Sequence, residues 1–264
     1  MESAQRIPVL MYHRLGKART PFEARYGITP SRFAAHMEKL RAAGMRPCAL
    51  SDFLAWRTGD RELPAGSFLL TFDDGYLGVY EHAAPVLERL GWPAVLFLVS
   101  QRLGQRDDWC RTDPNNSDGA THPLMSLEQA LELGRRGFEL QSHTRTHPDL
   151  TTLSDAALAE ELAGSRQELE AALGRPVEYL AYPYGRHDER VMAAARQAGY
   201  RAAFSTRSGF NRRQVDPFQI RRLDIYGTDT PAMLMRKIHF GCNDGSWRQS
   251  LRYYAGRAAA RLGL

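Results

Sequence analysis

The chain has 264 residues, 43% hydrophobic and 25% charged, the make-up of a globular protein with ample material for a core. Its net charge of +5 leans basic, but the positive residues come in short pairs such as Arg212-Arg213 and Arg221-Arg222 rather than in runs interleaved with aromatics, which excludes a nucleic-acid platform. No segment approaches the apolar length that spans a bilayer, and three scattered cysteines, Cys48, Cys110 and Cys242, suggest neither a disulfide framework nor a thiolate metal site. Residues 1–6 lack the basic-then-apolar pattern of a signal peptide, so a cytoplasmic protein is expected. With no Pro/Ser/Gly-rich linker or shift in composition, a single domain over residues 1–264 is expected.

Apolar runs read as strands at residues 8–13, 45–50, 67–72, 94–99, 138–141, 179–182, 200–205 and 219–224. Helical patterns lie between them. Thr29 and Pro30 start a helix that Gly44 ends, a second covers residues 77–90 before Gly91, and Ser126 with Gln129 forms a capping box for a helix closed by Gly137. Residues 154–173 before Gly174 and residues 188–198 before Gly199 complete the series. This alternation implies a parallel sheet with helices outside, and strands this numerous in one domain favour closure into a barrel. One connection breaks the rhythm: residues 101–124 run through Gly, Asp, Asn and Pro without periodicity. Because it follows a strand's C-terminal end, this segment should overhang a barrel's functional face.

The strand at 67–72 closes with Thr71-Phe72-Asp73-Asp74-Gly75-Tyr76. Two adjacent carboxylates there are costly unless a cation sits nearby. Successive strand side chains point to opposite faces, so Asp73 and Asp74 converge only if the chain turns, which Gly75 permits. Downstream, His143-Thr144-Arg145-Thr146-His147 places two imidazoles four residues apart, a spacing that one tight loop or helical turn aims at a single ion. Two histidines and a carboxylate make a metal site. The terminal stretch from Trp247 to Leu262 carries a basic amphipathic stripe that suits either docking on the protein's own barrel or weak contact with an anionic membrane surface.

These motifs resemble those of the polysaccharide deacetylases, carbohydrate esterase family 4. Thr71-Phe72-Asp73-Asp74-Gly75 and Ser142-His143-Thr144-Arg145-Thr146-His147-Pro148 match the family's first two motifs, and Ala181-Tyr182-Pro183-Tyr184-Gly185 looks like its third. Pro8-Val9-Leu10-Met11-Tyr12-His13 resembles the opening of the branch acting on poly-N-acetylglucosamine. The resemblance implies a distorted (β/α) barrel of about seven strands and a metal-dependent hydrolase that removes N-acetyl groups from an N-acetylated amino sugar or polysaccharide. It makes Asp74, His143 and His147 the metal ligands and Asp73 the catalytic base, with the backbone N–H of Tyr184 completing an oxyanion hole. Two imidazoles and one carboxylate suit zinc, with cobalt, nickel or iron as alternatives, and argue against calcium or magnesium.

The chain departs from the family pattern at Ala181, where an arginine usually orients the base. By position, Arg222 near the end of the strand at 219–224 is the substitute, with an exposed strand residue as the plain reading. Two histidines compete as proton donor. His239 falls where the family's fifth motif would, whereas His13 ends the first strand, and the strand-end position favours His13. Trp109, in the overhanging segment, could stack on a sugar ring, though a lone Trp more often pins a loop to the core. His36, His82, His122 and His187 have no comparable placement. The alternatives are a deformylase or deacetylase of a lipid- or nucleotide-linked sugar, and a non-catalytic carbohydrate-binding barrel.

Overall fold

In the computed structural model, which describes residues 5–21, 23–112, 116 and 119–248, strands and helices alternate as predicted. Seven parallel strands make the main sheet: β1 (Val9–Tyr12), β2 (Ser67–Phe72), β3 (Val95–Leu98), β4 (Glu139–Ser142), β5 (Tyr179–Ala181), β6 (Ala202–Phe204) and β7 (Leu223–Asp224). They lie side by side in the order β7-β1-β2-β3-β4-β5-β6. Just before β7, the Ile220 N–H donates to the Ala203 carbonyl (3.0 Å) and its carbonyl accepts from the Ser205 N–H (2.8 Å), so the edge at β6 curls back towards β7. The sheet is the distorted (β/α) barrel that the alternation and the family motifs predict.

Helices α1 (Pro30–Ala42), α2 (Leu50–Thr58), α3 (Ala84–Leu90), α4 (Leu127–Arg135), α5 (Ser165–Leu173), α6 (Glu189–Gln197) and α7 (Pro231–Phe240) fill the connections. Their starts follow the caps read from the sequence. The Thr29 hydroxyl accepts from the Arg32 N–H (3.3 Å), and Ser126 and Gln129 form the reciprocal capping box. The predicted helices at residues 77–90 and 154–173 are each interrupted by a π turn, Val79–Ala83 before α3 and Glu160–Gly164 before α5. No helix among the described residues is long and apolar enough to cross a membrane.

The strand expected at 45–50 is mostly something else. Only Arg46–Pro47 pairs with the start of β2, and Leu50 already belongs to α2. Pro47 has no N–H to extend a ladder, and the Ala49 N-cap makes no side-chain cap bond, so the helix start carries no polar signal in the sequence.

Alternation along β2 builds two apolar layers. Phe68, Leu70 and Phe72 pack with Phe33, Met37 and Leu40 of α1 on the outside. Leu69 turns inward to join Val9, Val95, Phe97, Phe204 and Ile220, and Phe53 and Trp56 of α2 pack into this inner set. Each such side chain, fully buried, contributes roughly 1.5–3 kcal/mol. Near the mouth of the barrel, Gly227 lies so close to the Glu23–Tyr26 helical turn that a Cβ there would fall 1.9 Å from the Gly27 carbonyl oxygen and 2.7 Å from that of Ala24. Both obstacles are backbone. Gly227→Ala is therefore expected to lower stability by about 1–3 kcal/mol, the usual cost of overpacking, in denaturant unfolding. An unchanged midpoint would mean that this backbone contact is not fixed.

Candidate active site

At the end of β2 the chain reverses through two consecutive left-handed residues, Asp74 (φ 70°) and Gly75 (φ 77°). The Asp73 N–H is still paired with the Tyr12 carbonyl of β1 (3.0 Å), so Asp73 continues the strand while Asp74 begins the turn. This is how two neighbouring carboxylates come to share one face. Thr144 (φ 69°), His147 (φ 66°) and Tyr184 (φ 57°) are the other described non-glycine residues in the left-handed region. All four sit at this site. Each such conformation costs of order 1–3 kcal/mol and persists where its surroundings enforce it.

Asp74, His143 and His147 converge, with one ligand atom from each lying within 4.8 Å of the others. The Nε2 atoms of both histidines are 3.3 Å from the same oxygen, Oδ1 of Asp74, which is buried and accepts no hydrogen bond. Ligands bound to zinc at 2.0–2.1 Å in a tetrahedron are about 3.3–3.4 Å apart. The donor set, and the spacing of each histidine from Asp74, fit a divalent ion. His143 is oriented by its other nitrogen, with Nδ1–H donating to the Ala181 carbonyl (2.8 Å) and Nε2 left facing Asp74. Burial pushes the His147 imidazole down to about 3, which keeps it neutral, the form that ligates a metal. At His143 burial acts in the same direction, but the neighbouring Asp74 and Asp73 carboxylates outweigh it and raise the pKa. That added affinity for a proton marks a position that favours a cation.

Asp73 is held differently. Arg222, fully buried, donates Nη1–H to Oδ1 (2.6 Å) and Nη2–H to Oδ2 (2.8 Å), while its Nε–H donates to the Ser205 carbonyl (2.9 Å). Burial alone would raise the Asp73 carboxyl, but Arg222 outweighs it and holds the group below the usual carboxylate range. Asp73 Oδ2 lies 4.0 Å from His143 Nε2, beside the Asp74–His143–His147 cluster and not within it. The arginine absent at position 181 is thus supplied from the approach to β7, and the exposed-strand reading of Arg222 does not hold. Ala181 instead contributes its carbonyl.

The site opens into a cavity of about 610 Å³, within the range usual for small-ligand sites. His13, Tyr184, Trp109 and Asp224 line it as well. The His13 ring packs edge-on against Tyr26 (5.3 Å), and its Nδ1 is buried without a partner. Asp224 is paired in register with Met11 of β1; burial raises its carboxyl and the nearby His13 opposes that rise. The Tyr184 ring lies 4.7 Å from that of His147 and is 48% exposed. Trp109 stacks on His147 (4.4 Å, 25°), so the overhanging segment roofs His147. His239 does not join them. It is exposed on α7 against Phe240 and lines no part of the cavity, because the buried face of that helix presents Leu234, Lys237 and Ile238 inward.

His122 departs from expectation in the other direction. It lines the cavity between Glu23 (3.2 Å) and Asp107 (3.3 Å), and Tyr76 donates its hydroxyl to Asp107 (2.8 Å). These residues tie the overhanging segment to the Glu23–Tyr26 turn, and nothing in the aperiodic sequence around His122 signals it. The stretch beyond residue 248, where the basic amphipathic stripe lies, is outside the described residues.

Comparison with known proteins agrees with this geometry. The Bacillus subtilis protein YxkH is 26% identical over 224 residues, covering 85% of this chain and 73% of its own length. The poly-β-1,6-N-acetyl-D-glucosamine N-deacetylase of Staphylococcus aureus is 23% identical over 189 residues, 68% of this chain and 61% of that enzyme. Among solved structures, IcaB from Ammonifex degensii superimposes with a TM-score of 0.71 at 27% identity, covering 83% of this chain and 91% of that one. The Streptococcus pyogenes deacetylase PplD, in complex with acetate, shares the fold with a TM-score of 0.75 at 23% identity, covering 89% and 98%. The polysaccharide deacetylase family model matches residues 60–203, more than half of the chain, from the approach to β2 through β6. The chain therefore belongs to the polysaccharide deacetylase family, hydrolases that act on amide bonds.

Proposed function

We propose that the protein is a divalent-metal-dependent N-deacetylase acting on N-acetylglucosamine-type polysaccharide, with Asp74, His143 and His147 as ligands and zinc as the ion. The observation that carries this reading is a buried, unpartnered Asp74 oxygen with two imidazole nitrogens 3.3 Å away, beside a second carboxylate that an arginine keeps ionised. Cobalt, nickel and iron suit the same donors. When bound, a divalent ion would polarise the acetyl carbonyl and acidify the attacking water, which is what a base as weak as the Arg222-paired Asp73 requires.

Asp73 takes the proton of that water, held ionised and in place by Arg222. His13 gives a proton to the departing amine from the wall formed by β1. The Tyr184 backbone N–H steadies the developing oxyanion, and the rings of Trp109 and Tyr184, both packed against His147, offer aromatic surface to a sugar. The substrate class is supported by the Staphylococcus aureus relative together with the site. Acetate release should be followed on β-1,6-linked N-acetylglucosamine oligomers, chitin oligomers and UDP-N-acetylglucosamine. Fastest release is expected from the β-1,6-linked oligomers. Turnover confined to the nucleotide sugar would move the substrate to a carrier-linked monomer, and no release from metal-loaded protein would leave a non-catalytic barrel.

The donor assignment has its own test. His13→Ala should slow amide hydrolysis by about a hundredfold or more, while an activated aryl acetate, whose phenolate leaves without protonation, should lose far less. Equal losses on both substrates would remove His13 from the donor role.

A further inference from the structure

The three residues between the ligand histidines, Thr144-Arg145-Thr146, take no part in the chemistry proposed above, yet they are the most heavily tethered stretch of the site. Glu161 Oε2 accepts from the backbone N–H of Arg145 (2.9 Å) and of Thr146 (3.1 Å), and its Oε1 accepts from the Thr146 hydroxyl (2.6 Å). One carboxylate thus grips two successive peptide groups and a side chain. On the opposite side, the carbonyls of Thr144 and Arg145 accept from the N–H groups of Ser100 and Gln101, both at 3.0 Å. The Arg145 guanidinium pairs with Glu168 (2.9 Å) and with Glu160, and Glu168 also accepts from the Ser100 hydroxyl (2.6 Å) and the Gln101 amide (3.1 Å). The loop is held from both faces.

The helical face that does this holding is built for it. Glu160, Glu161 and Gly164 all belong to the π turn before α5, an irregularity frequent at functional sites. Gly164 makes room for the loop, since a Cβ at that position would come within 2.7 Å of Arg145 Cδ. The tethering answers a need at the loop itself. Thr144, a β-branched residue, and His147 both take left-handed backbone angles that such residues rarely adopt. Without an external grip the chain between the histidines would relax, and the two Nε2 atoms would leave Asp74 Oδ1.

We propose that Glu161 is a positioning residue for the metal ligands, fixing the spacing of His143 and His147 through the backbone between them and so setting metal affinity and coordination geometry. The inference rests on the assignment of Asp74, His143 and His147 as the ligand set. It is tested on the purified full chain by zinc competition against a chromogenic chelator and by the visible spectrum of the cobalt(II)-substituted protein. Glu161→Ala is expected to weaken zinc binding about 10- to 100-fold, the range for residues that orient ligands, and to alter the cobalt spectrum. Glu161→Gln keeps an acceptor oxygen for the two N–H groups but not the charge, and should fall between Glu161→Ala and wild type. Glu160→Ala, which removes a contact only at the guanidinium of Arg145, should stay within about twofold.

Wild-type zinc affinity together with an unchanged cobalt spectrum in Glu161→Ala would overturn the proposal, whatever that variant's thermal stability. Should Glu161→Ala not fold, the glutamine variant decides by the same two readouts. His143→Ala run in parallel separates the two levels: if it binds zinc as wild type does, the ligand assignment is wrong and the role of Glu161 falls with it. If His143→Ala loses zinc and Glu161→Ala does not, only the positioning role is lost.

Discussion

Asp74→Ala, His143→Ala and His147→Ala are each expected to lose the divalent ion and, with it, deacetylation. The three side chains are the only group of three or more His, Cys, Asp or Glu residues among the described residues arranged to hold a metal, and three protein ligands are the usual complement of a catalytic site that keeps a position open. Removing one leaves two, and the affinity loss should exceed the roughly 10–100-fold typical of an outer-shell partner. Elemental analysis of each purified variant, alongside acetate release, checks this directly. A variant that retains one equivalent of metal at wild-type affinity would take that residue out of the ligand set. Losses should be alike at all three positions, because each contributes one donor to the same small volume.

The second large effect is expected at the pair beneath the site. Arg222→Met leaves the Asp73 carboxylate buried with its main partner gone, and breaking a buried pair from one side typically costs about 3–5 kcal/mol. The pH dependence follows from the direction of the shift. In wild type the folded-state pKa of Asp73 is depressed, so the pair's contribution is present above the unfolded-state pKa and is lost only as pH falls through the lower folded value. In Arg222→Met the main opposition to burial is gone, the pKa rises, and protonation relieves the unpaired charge. The stability deficit should therefore shrink between pH 7 and pH 5 in denaturant unfolding; a deficit that grows as pH falls would contradict the pairing. Asp73→Asn separates chemistry from folding. It should retain metal and lose activity by about a hundredfold or more, the scale of a missing general base.

Much of the fold is legible because its signals are local. The β2 strand at residues 67–72 is matched to the residue, since an unbroken apolar run ends at a pair of acids and a glycine. The capping box at Ser126 and the left-handed stop at Gly91 do the same for helix ends. α2 is not legible, because Ala49 gives its start no polar cap and Pro47 sits in an apolar run that reads as a strand. The site divides along the same line. Asp73, Asp74, His143 and His147 announce themselves by spacing within two short motifs. The Arg222 partnership spans 149 positions in the chain and is legible only as a gap at Ala181 needing a cation from some other strand end. His122 and Asp107 are joined by a segment without periodicity, so their meeting with Glu23 depends on a path that no local pattern encodes. His239 misleads for the opposite reason: its order in the sequence suits a motif, while helical geometry turns it to solvent.

The measurement closest to the central claim is a paired count of acetate and newly formed primary amine from N-acetylglucosamine oligomers, made on metal-stripped protein before and after zinc is added back. Stripped protein should release neither product, and zinc should restore both in equal amounts in wild type but not in Asp73→Asn. Equal release from metal-free protein, or full restoration in Asp73→Asn, would contradict an active site built on Asp74, His143 and His147 with Asp73 as its base.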